Sequence, residues 1–260
     1  MASPVINVMT SAAIKAGKGL LRDFGEVDKL QISRKGASNF VTKSDIRTEK
    51  LLRKELSVAR PDYGFLMEEE GEIEGKDKKH RWIIDPLDGT SNFIHAIPYF
   101  CISIALEELK NNGKREITAG VIFDPIHNEL FSAEKGKGAL LNNRKILIAS
   151  RSNFEELMLA TGSPRDAIAA CERMEKCGSI IRHFGASALD LANMAAGRID
   201  ACWHNNVQPW DIAAGMLIVT EAGGVCRKID GADIDIYSNS ILASSPFLFD
   251  SVKKIASDKS

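Results

Sequence analysis

The chain has 260 residues, 44% of them hydrophobic and 27% charged, with a net charge of −1. That is enough apolar residue for one large folded unit with a substantial core. The near-zero charge provides no electrostatic footprint for nucleic acid or an anionic membrane, so neither is expected as a direct partner.

In chain order, MASPVINVMTSAAIKAGKGLL lacks the basic start and apolar run of a secretory leader. With no stretch of about 18 apolar residues anywhere, a cytoplasmic protein is expected. Val5, Met9, Ala12, Ala13, Ala16 and Leu20 mark the apolar stripe of a first helix. A second is expected from Ser44 to Leu56, with Ser44 or Thr42 as its cap. Tyr63 to Met67 and Arg81 to Ile84 read as strands. FCISIALEEL, EITAGVIFDP and NELFSAE read as three more, joined by Asn/Gly and Asp-Pro turns. From residue 157 strands alternate with helices: LMLATG, helix 165–176, SIIRHF, helix 186–196, IDACW, helix 210–222, SILAS. The pattern predicts a single unit over 1–260, with a largely antiparallel half (about 1–145) and an α/β half (146–260) closed over one cleft.

Several chemistries are excluded or demoted. EKGKGALLNN has Leu141 where a dinucleotide loop needs its third glycine, and a hairpin turn is the better reading. Neither G-x-x-x-x-G-K-[ST] nor G-x-S-x-G occurs. The five histidines lack H-x-x-x-H spacing. The five cysteines are odd in number and never form C-x-x-C, which points to free thiols. Carboxylates are the remaining cluster.

WIIDPLDGTSNF ends a buried strand in Asp85 and Asp88, with Pro86 between them to turn the chain. FLMEEEGE puts Glu68 directly after another strand, and QPWDIAAGMLIVTEAGG puts Asp211 in the first turn of a helix that Pro209 begins. Alone, each is an ordinary turn, a solvated loop or a helix-dipole acid. If all four share a pocket, repulsion decides the matter: two charges ~4 Å apart cost about 4 kcal/mol at an effective dielectric of about 20. Hard cations remove that cost, and Mg²⁺ favours carboxylates together with phosphate oxygens. A helix starting near Gly89 adds outward-facing N–H groups suited to phosphate. The combination suits metal-assisted phosphate-ester hydrolysis.

These motifs, together with VTKSDIRTE, resemble those of the inositol monophosphatase family, a group of lithium-sensitive, Mg²⁺-dependent phosphatases. WIIDPLDGTSNF is similar to that family's first signature and PWDIAAGMLIVTEAGG to its second; the resemblance extends over nearly the whole chain. It implies an α/β fold, the five-layer αβαβα sandwich, assembled as a homodimer. It implies Glu68, Asp85 and the Leu87 carbonyl on a first metal, with Asp85, Asp88 and Asp211 on a second. Two or three Mg²⁺ are expected, Glu68 helping a third, with Mn²⁺ able to substitute. Thr90 and Asp45 are implied to orient and deprotonate the attacking water, with Glu68 also catalytic. Asp88, Gly89, Thr90 and Asp211 are implied on the phosphate, and Gly185, Ala186 and Ser187 on the alcohol.

One position departs from the pattern. Family members that hydrolyse inositol phosphates carry a glutamate seven residues before the aspartate of the second signature; here that residue is His204. A histidine does not offer two carboxylate oxygens to a diol. The expected activity is therefore hydrolysis of inositol 1-phosphate or a related small phosphate ester. Fructose 1,6-bisphosphate, histidinol phosphate and, less well suited to this chain length, a 3′-phosphonucleotide stand as alternative substrates. A scaffold role with transcription or RNA-processing machinery, as in some bacterial relatives, is the alternative of a different class.

Overall fold

A computed structural model of the protein describes residues 3–30, 37–162 and 168–257. Helix α1 (Pro4–Leu30) buries Met9, Ala12, Ala13, Ala16 and Leu20, the stripe read from the sequence. Helix α2 (Ala37–Ala59) begins earlier than expected, since residues 37–43 contain no proline or glycine to stop it. Ser44 consequently lies inside the helix, buried, and accepts a bond from Arg47 Nη2 at 3.2 Å instead of capping. Thr42, the other expected cap, lies outside the residues whose side chains are described.

Eight strands then form one sheet: β1 (Tyr63–Met67), β2 (Gly71–Ile73), β3 (Asp77–Asp88), β4 (Cys101–Leu109), β5 (Arg115–Asp124), β6 (Glu129–Glu134), β7 (Ala139–Leu141) and β8 (Arg144–Ile146). Their order is β2-β1-β3-β4-β5-β6-β7-β8. β1 and β3 run parallel and the other neighbours antiparallel. A short α3 (Thr90–Ile94) interrupts them after β3. The second sheet holds β9 (Met158–Thr161), β10 (Ile180–Arg182), β11 (Ala201–Asn205), β12 (Val225–Arg227) and β13 (Ser240–Ser244), in the order β10-β9-β11-β13-β12. Its helices are α4 (Ile168–Lys176), α5 (Ser187–Ala195), α6 (Pro209–Glu221) and α7 (Phe249–Ser257). Residues 165–167, where the fourth helix was expected to start, are outside the described residues.

Alternation along the strands stacks these elements into five layers. On β4, Ile102, Ile104 and Leu106 join α1 and α2, while Cys101 and Ala105 join α5 and α6. On β11, Cys202 faces α5 and α6, whereas Ala201 and Trp203 pack with α4 and α7. The layers are α1/α2, first sheet, α5/α6, second sheet, α4/α7: the αβαβα sandwich. Helix α6 is covered by both sheets, so it buries Ile212, Ala213, Ala214, Leu217, Ile218 and Val219 with little polar face left. It also approaches β5 closely: a Cβ at Gly120 would stand 3.1 Å from the Ala214 Cα. Among the described residues no helix is long and apolar enough to cross a membrane.

Candidate active site

The expected strand ending at Ile84 continues to Asp88, with a defect that matters. Asp85 pairs with Ser103 and Asp88 with Cys101, so the ladder skips Pro86 and Leu87. In a regular strand, residues three apart point to opposite faces. Here the partners 103 and 101 are two apart on β4, so the bulge brings both aspartates to one face. That face is the one covered by α5 and α6. Ser103 beside them donates its hydroxyl to the Trp210 carbonyl at 3.2 Å.

Each aspartate is held by main chain. Asp85 Oδ1 accepts from Leu87 N at 2.8 Å. Asp88 accepts from the first N–H groups of α5: Ser187 at 3.2 Å on Oδ1, Ala188 at 2.7 Å and Leu189 at 3.4 Å on Oδ2. Asp211 Oδ2 accepts from Gln208 N at 2.8 Å as half of a capping box. Glu68 follows β1, as expected, and is exposed at the surface.

These carboxylates sense one another. Burial, then the charges of Glu68, Asp88 and Asp211, raise Asp85 well above its ordinary value. Burial and Asp211 raise Asp88 to about 7. Burial, opposed by a bond to Asp85 and reinforced by Asp211, raises Glu68 to about 7. Burial raises Asp211 to about 6. Among the described residues, no three of these side chains close into a finished metal cage. What they form is a set of hard, mutually repelling oxygen donors, which suits a divalent cation such as Mg²⁺ and not a soft one.

Asp45 is carried by α2. It is buried, its Oδ1 has no hydrogen-bond partner, and burial with the charges of Glu68, Glu69 and Glu49 raises it to about 8. The Thr90 hydroxyl donates to the Leu87 carbonyl at 3.0 Å, which brings these two expected site residues together. Gly89 has φ 97°, and a Cβ there would stand 2.9 Å from the Tyr99 carbonyl. Its glycine is therefore required by the neighbouring chain, beyond any approach to phosphate.

Gly185, Ala186 and Ser187 line a cavity of about 370 Å³ together with Asp88, His204 and Asp211. The Ser187 N–H is taken by Asp88. His204 sits in β11 opposite Ile241, 4% exposed, and burial lowers its pKa to about 4.

Sequence reasoning missed three supports. Glu49, fully buried one helical turn after Asp45, accepts from Glu69 N at 2.9 Å and Glu70 N at 2.8 Å, fixing the loop that carries Glu68. Its signal was the i,i+4 spacing from Asp45 within VTKSDIRTE. Asn92 donates through Nδ2 to the Tyr99 and Phe184 carbonyls, both at 2.7 Å, tying the DGT turn to Gly185. Asp190, on α5 behind His204, had no signal in the sequence.

The model of the inositol monophosphatase family matches residues 1–258. An inositol-1-monophosphatase of Caulobacter vibrioides is 49% identical over 246 residues, covering 91% of this chain and 94% of the relative. A Nus factor SuhB of Xylella fastidiosa is 45% identical, covering 90% of this chain and 85% of its own. The crystal structure of extragenic suppressor protein suhB from Bartonella henselae superposes with a TM-score of 0.89 at 44% identity, covering 99% of this chain and all of that one.

Proposed function

We infer the function from one premise: this chain belongs to the inositol monophosphatase family. It is a phosphoric monoester hydrolase that acts on inositol 1-phosphate or a related small phosphate ester. The observation that carries this reading is the bulge at Pro86, which brings Asp85 and Asp88 to one face beside Asp211.

In this reading Glu68, Asp85 and the Leu87 carbonyl would hold one Mg²⁺, and Asp85, Asp88 and Asp211 would hold a second, with Mn²⁺ able to substitute. Bound there, the ions would neutralise the carboxylates and supply Lewis acidity at the phosphoryl oxygens. Main-chain groups of Gly89 and Thr90 bind the phosphate. Asp45, with its unpaired Oδ1 and raised affinity for a proton, accepts the proton of the attacking water. Thr90 orients that water, its hydroxyl fixed by the Leu87 carbonyl. The alcohol leaves into the cavity lined by Gly185, Ala186, Ser187 and His204. We assign the protein to the cytoplasm and to a homodimer on the family pattern.

A turnover screen of EDTA-treated protein against inositol 1-phosphate, fructose 1,6-bisphosphate and histidinol phosphate, with and without Mg²⁺, tests the assignment. Turnover only with Mg²⁺ or Mn²⁺ is expected; full turnover without either refutes it. The 45% identity to a protein called a Nus factor favours one second reading, a contact with transcription machinery. If catalysis is the cellular role, Asp85→Asn at normal expression fails to complement a deletion strain. Complementation by that variant supports the second reading.

A further inference from the structure

Asp211 comes to the site from a different part of the chain than Asp85 and Asp88, and its own hydrogen bond does not bring it there. Its Oδ2 accepts from Gln208 N, within the same helix start. How close Asp211 stands to the two aspartates of β3 therefore depends on where the first turn of α6 lies against the first sheet. The residue before that turn is tied to the second sheet side, Val207 N donating to the Asn239 carbonyl at 3.3 Å. On the other side, among the described residues, one hydrogen bond joins the first sheet to the turn: Ser103 Oγ donates to the Trp210 carbonyl at 3.2 Å. Trp210 immediately precedes Asp211, and Ser103 is the residue of β4 that pairs with Asp85. One serine thus engages both halves of the carboxylate set, Asp85 through its place in the ladder and the neighbour of Asp211 through its hydroxyl.

Packing alone does not ask for a hydroxyl at this position. Cys101, Ser103 and Ala105 form the row of β4 that faces α5 and α6, all of them small and buried. Small residues suit the close approach of α6 seen at Gly120, and an alanine at 103 would serve that purpose equally well. A hydroxyl turned into an apolar layer is costly unless it is bonded. This one, 2% exposed, is bonded to a main-chain carbonyl, which has two lone pairs to offer. What the oxygen adds over alanine is a directed link between β4 and the start of α6.

We propose that Ser103 is a positioning residue of the metal centre: by holding the Trp210 carbonyl it docks the start of α6 on β4, so that Asp211 completes, with Asp85 and Asp88, the site of the second divalent cation. This rests on the metal-dependent phosphatase reading and deepens it. Ser103 is not itself a ligand; it acts through Asp211. Cation affinity is then coupled to the docking of one half of the molecule on the other.

Calorimetric titration of EDTA-treated, dialysed protein with Mg²⁺ tests this without turnover. Ser103→Ala should weaken the binding step that depends on Asp211 by about three- to ten-fold, the scale of one neutral hydrogen bond, and leave the other step unchanged. Ser103→Cys, which keeps a weaker donor, should fall between the two. In Asp211→Asn protein that step is absent, and adding Ser103→Ala should change Mg²⁺ binding no further. A serine that only stabilises the fold would lower the melting temperature in EDTA and leave Mg²⁺ affinity as it was. That result, or a loss of affinity that persists undiminished in the Asp211→Asn background, would overturn the proposal and leave the phosphatase reading intact. Absence of any Mg²⁺ binding by the native protein would overturn both.

Discussion

Three main-chain N–H groups at the start of α5 point at Asp88, so this carboxylate caps a helix as well as facing the cleft. Asp211 accepts from one such group. Both variants to asparagine lose an ionised oxygen at the candidate metal site, and turnover should vanish in both. Their stabilities should differ: Asp88→Asn keeps one oxygen for the N–H groups of Ala188 and Leu189 but turns an NH₂ toward that of Ser187, and should cost about 1 kcal/mol, the scale of one lost hydrogen bond. Asp211→Asn should cost less, and urea unfolding of the two variants would rank them. Thr90 offers a cleaner separation, because its hydroxyl touches one carbonyl and buries little. Thr90→Ala should lower kcat by about 10²-fold, as for a lost positioned proton-transfer group, with Mg²⁺ binding kept in calorimetry. Loss of Mg²⁺ binding there would show that Thr90 serves the Leu87 carbonyl and not the water.

At the scale of elements, the loop after β1 depends on α2. Burial raises the Glu49 pKa, and the two N–H groups of Glu69 and Glu70 pull it back. Glu49→Ala leaves those donors unpaired and should destabilise the fold by about 1–3 kcal/mol. It should also weaken Mg²⁺ binding, because Glu68 is no longer aimed; unchanged binding in a calorimetric titration would separate the loop from the site. Such supports explain what the sequence could and could not disclose. Strands 63–67 and 240–244 were legible to the residue, since each has apolar residues bounded by turn formers. Strands β2, β7, β8 and β12 have three residues each, too few to express a period of two. The reach of β3 past Ile84 was hidden because a proline and two aspartates contradict strand propensity, and only pairing with β4 holds them there. The acidic residues were legible as chemistry through their motifs. Asp190 was not, because its partners Tyr99 and His204 come from distant segments that only the tertiary fold assembles.

The molecule as a whole carries a pH signature. Without metal, Asp211 is raised to about 6, Glu68 and Asp88 to about 7 and Asp45 to about 8, from ordinary values of 3.8 for the aspartates and 4.5 for the glutamate. Between about pH 4 and 8 the folded state holds protons that the unfolded chain has released, so stability falls as pH rises through this window. Metal-free protein should melt lower at pH 8 than at pH 5.5, by on the order of 5 °C for a chain of this size. Added Mg²⁺ should narrow the gap, because it displaces the same protons. A melting temperature that rises with pH in EDTA would mean that the four carboxylates do not share a pocket.

The central layer of α5 and α6 belongs by chain order to the second sheet, yet it covers one face of the first. The two sheets are joined by a single passage, residues 147–157, which Arg151 ties to Asp200 and to the Gly197 carbonyl, each at 2.7 Å. A nick in that passage would leave Asp45, Glu68, Asp85 and Asp88 on one fragment and Asp211, His204 and the α5 cap on the other. Neither fragment alone would own a complete site, and the apolar face of α6 gives the two a reason to find each other again. The protein is thus a candidate for split-fragment complementation, in which recovered phosphatase turnover would count reassembled molecules.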